Sequence, residues 1–193
     1  MASPSHEKLF VYEHLAKRVS YHPLTGLIYW KEKPKRMKGH WHFLKPAGHL
    51  TPNGYWVITI RIGGKQYKVQ QHNLAWFIIY GQLPKKGFSI DHKNDQKADN
   101  QLENLRLLSH AGQTISRKHG SNLPPWVYWE NRSRKFVARI MVLEKRKTLG
   151  FFNDSWKAHT KVADFAIKNN LISKEEYELL INEWKEFRGG KNG

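Results

Sequence analysis

The chain has 193 residues, no cysteine, and 33 Lys and Arg against 16 Asp and Glu, a formal charge of +17. The missing cysteines exclude disulfide frameworks, thiolate zinc sites and cysteine nucleophiles together, and the longest apolar run, Leu74 to Tyr80, is too short to span a bilayer. The charge implies a polyanionic partner, and nucleic acid is the usual one because each phosphate neutralised releases condensed counterions.

The surplus is uneven, with 14 Lys and Arg against 3 Asp and Glu in residues 1 to 90 and 19 against 13 after them. No long basic amphipathic helix stands out, so a membrane partner is not expected. The start, "MASPSHEKLFVYEHLAKR", carries charges where a signal peptide needs an apolar segment, which predicts a cytoplasmic protein. The length allows one medium domain or two small ones.

Along the chain, Glu7 to Val19 has helical apolar spacing at Leu9, Phe10, Val11, Leu15 and Val19, ended by "SYHPLTG". Leu27 to Trp30 reads as a strand running into a basic loop. "GYWVITIRIGGKQYKVQ" alternates Trp56, Ile58, Ile60 and Ile62 up to a Gly-Gly pair, the pattern of a hairpin. His72 to Tyr80 predicts a short buried helix closed by Gly81. "FSIDH" and "NLRLLS" then read as two antiparallel strands joined by "KNDQKADNQLE", with a basic helix over Gly112 to His119.

Pro124-Pro125 is the candidate linker, since neither residue continues a helix. Beyond it come three strands, Val127 to Trp129, Lys135 to Met141 and Arg146 to Phe151. A helix over "NDSWKAHTKVADFAIKNN" can be capped by Asp154 or Ser155, and a last one, Lys174 to Phe187, opens with a Ser173-to-Glu176 capping box.

Order and residue types together suggest chemistry at the "IDH" segment. A carboxylate and an imidazole at a strand end beside a short helix suit metal-assisted phosphodiester hydrolysis, the carboxylate holding a hard cation and the neutral imidazole taking a proton from water. The plainer reading is a turn-rich hairpin loop, because Asn and Asp favour turns. The cluster His40, His42 and His49 lacks acidic or thiol partners and reads as surface packing or phosphate contact.

"IDHKNDQKADNQLENLRLL", with "YKVQQHNLAWFIIYGQLPKKGFSIDH" and "HPLTGLIYW…AGHLTPNGYWVITIRIGGK" upstream, resembles the HNH endonuclease family in its phage and homing-type subgroup, over roughly Leu9 to Gly120. The resemblance implies an α+β chain whose N-terminal part is a ββα-metal nuclease module preceded by a β-hairpin region. It makes Asp91 the metal-binding carboxylate, His92 the general base and Asn104 the residue that positions the histidine. Where the family has a second metal ligand, His or Asn, this chain has Gln113. That amide oxygen on a longer arm is one candidate ligand, and His110 and His119 are alternatives. His72 matches a structural position. The implied cofactor is a divalent cation, Mg²⁺ or Mn²⁺.

In the C-terminal third, period-two alternation puts Phe136, Ala138 and Ile140 on one strand face and Val137, Arg139 and Met141 on the other. The first set is expected to pack on Trp156, Val162, Phe165 and Ala166, leaving the second face basic and open. "VYW", "KFVARI" and "LGFFNDSWKAHTKVADFA" resemble an AP2-type DNA-binding domain, which implies DNA contacts by Arg132, Arg134, Lys135, Arg139, Arg146 and Lys147. Two positions depart from that family: Trp126 stands where a Gly is usual, and "MVLEKRK" lacks the turn Gly.

The expected organisation is a nuclease module over residues 1 to 120, a linker over 121 to 125 and an AP2-like module over 126 to 193. Such a chain would cleave double-stranded DNA as a monomer or weak dimer, nicking when alone, with Lys and Arg of residues 31 to 68 tracking the backbone. The competing expectation is a non-catalytic DNA-binding regulator whose HNH fold has decayed at Gln113.

Overall fold

The computed structural model describes residues 6–34, 45–116, 122–142 and 145–189. Its contacts divide the chain into two compact units, Met1–Leu107 and Leu108–Gly193.

The first unit opens with α1 (His6–Ala16), followed by the antiparallel pair β1 (Val19–His22) and β2 (Leu27–Trp30). The helix expected to reach Val19 stops at Ala16. Val19 instead starts β1, opposite Trp30, because a strand there can bury Val19 against the α1 residues Val11, Tyr12 and Leu15. Next come β3 (His49–Leu50), β4 (Trp56–Ile62) and β5 (Lys65–Gln70), ordered β3-β4-β5. Gly63 and Gly64 make the β4–β5 turn with φ of 56° and 83°, the left-handed pair a two-residue hairpin turn needs.

The helix α2 (Gln71–Tyr80) ends on Gly81, whose φ of 67° lets its N–H reach the carbonyl of Phe77. It lays Leu74 and Phe77 on the core formed by α1, β4 and β5. On a second side, Ala75 meets Ile90 and Leu105 of β6 (Phe88–His92) and β7 (Leu105–Ser109), which pair with each other. The segment between them is a hydrogen-bonded loop closed by one 3-10 turn, Leu102–Asn104.

In the second unit, α3 (His110–Ser116) is capped by Ser109, whose hydroxyl accepts from the N–H of Gly112 at 2.9 Å. The sheet β8 (Val127–Glu130), β9 (Lys135–Val142) and β10 (Lys145–Phe152) is antiparallel with β9 in the centre. Behind it lies α4 (Ser155–Lys168), and α5 (Lys174–Gly189) packs against α3. Asp154 rather than Ser155 caps α4, accepting from Lys157 N at 2.7 Å.

The expected capping box of α5 is half made. Ser173 Oγ accepts from Glu176 N at 3.0 Å, but the Glu176 carboxylate accepts from Ser109 N and Oγ instead, both at 2.9 Å. Phe136, Ala138 and Ile140 face Val162 and Ala166 as their alternation predicts. Trp156 stays exposed and meets Trp184 edge to face. Pro124 and Pro125, the expected linker, are buried within this unit, and Pro125 O bonds His159 Nδ1 at 2.9 Å.

Candidate functional site

Asp91 and His92 are the last two residues of β6, so strand alternation sends their side chains to opposite faces. Asp91 is partly exposed and pairs with Arg106 of β7, Nε to Oδ2 at 3.0 Å. His92 turns inward and is buried. Its ring stands edge-on to His72 of α2, with centroids 5.1 Å apart, and Tyr55 flanks both rings.

Burial, and next the neighbouring His92, lower the pKa of His72 to about 3, so the position expected to be structural holds a neutral imidazole. His72 Nδ1 is buried without a hydrogen-bond partner among the described residues.

The loop that follows is held by its own side chains. Asn104 Oδ1 accepts from Asn94 N at 3.0 Å, and its Nδ2 donates to Asp99 O at 2.8 Å. Its backbone oxygen accepts from Lys93 N at 2.9 Å. Asn104 therefore ties the loop to the start of β7, the kind of bond the resemblance implies, but it does not touch the imidazole in any of these bonds.

The side chain that does is Asn100, whose Oδ1 lies 3.1 Å from His92 Nε2. Sequence reading missed it because a turn-rich loop offers several Asn residues and no local pattern distinguishes them. Asn100 is itself anchored from far along the chain. Its carbonyl accepts from the Tyr21 hydroxyl at 2.7 Å, and Leu102 N donates to Pro23 O at 3.0 Å. Gly26, with φ of 71°, lies so close that a Cβ there would sit 2.5 Å from Asn100 C.

The remaining candidates lie elsewhere. Gln113 and His110 are on α3 in the second unit, and His119 lies outside the described residues. His49 is exposed on β3, while His40 and His42 also lie outside the described residues. Among the described residues no group of three or more His, Cys, Asp or Glu could hold a metal ion. Asp91 offers a hard carboxylate donor, with Oδ2 already held by Arg106. That suits a Mg²⁺-like cation, which keeps several waters and takes few protein ligands, and does not suit zinc.

Of the expected DNA contacts, Arg139 and Arg146 share the open face of the second sheet, since Arg146 pairs with Met141 two residues along β9. Lys135 belongs to the same face by alternation, and Arg132 and Arg134 sit in the exposed β8–β9 turn. Lys147 belongs to the opposite face, its Nζ 4.6 Å from the Phe165 ring of α4. Trp126, where a Gly is usual, has φ of 64°, the left-handed conformation a Gly would adopt without strain.

Residues 69–114, from the end of β5 into α3, match the family model described as HNH endonuclease. A solved structure, described as DNA binding and cleavage by the HNH homing endonuclease I-HmuI, is similar at 26% identity over 48% of this chain, with a TM-score of 0.34. The match spans 47%, about half, of that chain. No curated protein matches. No helix among the described residues is long and apolar enough to cross a membrane.

Proposed function

We propose that the chain is a metal-dependent DNA endonuclease of the HNH homing type, with a nuclease module through residue 120 and an AP2-like module from residue 126 that finds the site. The observation that carries the reading is the buried His92–Asn100 hydrogen bond beside Asp91, inside the segment that matches the HNH model.

Asn100 Oδ1 carries only lone pairs, so the neutral imidazole keeps its proton on Nε2 and presents Nδ1 as the base. Nδ1 takes a proton from the attacking water, and Asn104 holds the loop that keeps Asn100 in place. Asp91 is the protein ligand for the cation, and Arg106 orients its carboxylate through Oδ2. Bound there, a divalent cation supplies Lewis acidity at the scissile phosphate and stabilises the leaving 3′ oxygen. Gln113 is the proposed second ligand, read from its place in the motif. One such site cuts one strand, so a monomer nicks.

The test is conversion of supercoiled plasmid carrying DNA from around the gene to open circle, with Mg²⁺, Mn²⁺ or EDTA. Wild type nicks only with metal, and His92→Ala binds without nicking. A second reading, a DNA-binding regulator with a decayed HNH fold, is favoured by Gln113 and by the Arg106 cation already on Asp91. Binding by both proteins with cleavage by neither establishes it.

A further inference from the structure

The loop between β6 and β7 carries Lys97, between His92 and Asn100, and lays it across a turn from another part of the chain. Lys97 Nζ stands 5.1 Å from the centroid of the Tyr55 ring and donates to Asn53 O at 3.4 Å. Its stem runs along Gly54, where a Cβ would meet Lys97 Cβ and Cδ at 3.8 Å. Tyr55 is the ring that flanks His92, with centroids 6.2 Å apart. One aromatic ring therefore separates a cation from the candidate base.

Both sides of this contact are held in place. The turn closes on itself: Thr51 Oγ1 accepts from Tyr55 N at 3.1 Å and donates to Tyr55 O at 3.0 Å, and Gly54, with φ of 84°, donates to Thr51 O at 2.9 Å. The loop is closed by Asn94 Nδ2 on Asp99 Oδ2 at 2.8 Å and by the bonds of Asn104. A lysine laid between two such segments loses much of its rotamer freedom on folding rather than on meeting a ligand.

What this ammonium lacks is a counter-charge. Among the described residues no carboxylate pairs with Lys97, in contrast to Lys65, which pairs with Glu7, and Lys174, 3.8 Å from Glu178. Its acceptors, a carbonyl and a ring face, are neutral, and Lys97 is exposed. A phosphate oxygen adds the attraction of a full charge, which neither of those acceptors offers. A base reaches its proton at about 2.6–3.2 Å. The phosphate under attack therefore stands beside the His92 ring, within the span of a lysine side chain anchored one ring away.

We propose that Lys97 is a catalytic residue of the nicking reaction, its ammonium meeting a non-bridging oxygen of the scissile phosphate. As the water oxygen bonds to phosphorus, its proton passes to His92. The 3′ oxygen leaves with the electron pair of its bond to phosphorus and takes a proton from solvent. Negative charge gathers on the non-bridging oxygens between these events, and a cation already in place stabilises it there. The role rests on the nuclease reading above, while the phosphate contact is measurable without cleavage.

The test is single-turnover nicking of the same plasmid, together with duplex affinity across a salt series in EDTA. Lys97→Met keeps the stem along Gly54 and Tyr55 and removes the charge. Its nicking rate falls about 10- to 100-fold while the melting temperature is unchanged and duplex affinity falls less than about tenfold. Lys97→Arg retains most of the rate, and Lys86→Met, which removes a charge from the loop between α2 and β6, leaves it within about threefold. Ethylammonium restores nicking by Lys97→Ala saturably, whereas tetramethylammonium at the same ionic strength does not. The slope of log K against log salt falls by about one in Lys97→Met. A wild-type rate in Lys97→Met overturns the proposal while the nuclease reading stands. A loss that neither Lys97→Arg nor ethylammonium restores also overturns it, and makes Lys97 a clip between loop and turn. Absence of nicking by the wild type in every ion overturns the catalytic role together with the nuclease reading, and an unchanged salt slope then removes the phosphate contact as well.

Discussion

The loop between β6 and β7 and the open face of the β8–β9–β10 sheet both gather polar side chains, but they hold them in opposite ways. In the loop, His92, Asn100 and Asn104 are buried and bonded to one another or to backbone. On the sheet, Arg139 and Arg146 project from strands with no carboxylate partner among the described residues. Proton transfer requires one imidazole in one tautomer and orientation, which a closed network provides. Phosphate contact requires charge delivered to an outside surface, which a strand provides without a network. Hydrogen-bond closure thus distinguishes the loop proposed to react from the sheet face proposed to contact DNA.

The largest expected effect breaks the first side of that comparison. His92→Ala lowers the nicking rate on the order of 10²- to 10⁴-fold while duplex affinity is unchanged, read from plasmid conversion and gel shift. Asn100→Ala, which removes the acceptor and leaves the loop backbone in place, lowers the rate about 10- to 100-fold with no change in KM, and Asn100→Asp restores most of it.

Stability carries the next effect. His72 is neutral in the folded chain with a pKa near 3, against 6.5 for the free group, so the unfolded state binds more protons between those values. Its contribution is complete above pH 6.5 and is lost as pH falls toward 3, by at most about 1.4 kcal/mol per pH unit. Urea midpoints for wild type and His72→Phe at pH 7 and pH 4 then differ by up to about 3 kcal/mol in acid sensitivity.

Gly26→Ala tests the long-range anchor. Its Cβ meets the Asn100 backbone at 2.5 Å from a left-handed φ, so stability falls about 1–3 kcal/mol in thermal melts. Nicking falls with it, because the loop carrying Asn100 is displaced.

The smallest effect sharpens the sheet side. Arg146→Ala weakens duplex binding by about 1 kcal/mol and lowers the salt slope by about one, whereas Lys147→Ala, on the opposite face over Phe165, leaves the slope within error. Equal losses from these neighbours would place DNA on some other surface.

Much of the local structure was legible in the sequence. The β4–β5 hairpin, the Gly81 stop and the strands at Leu27–Trp30 and Lys135–Val142 follow from alternation and from glycine's access to left-handed backbone. Val19–His22 was not legible as a strand, because four residues carry too little periodicity and its partner lies beyond a turn. Asp91, His92 and Asn104 stood out through their order in a motif. Asn100 and the contact of Lys97 with Tyr55 did not, because each depends on which distant groups come within 3 to 6 Å.

By itself the sequence marked out most of the elements and a charge that favours a polyanionic partner, since charge and periodicity are properties of neighbours along the chain, and motif order marked the candidate base and carboxylate. Only the tertiary structure decided which side chain bonds the His92 ring and that Lys147 lies over Phe165 rather than beside Arg146. Those are questions of contact among residues as far apart as Tyr21 and Asn100, and no local pattern encodes them.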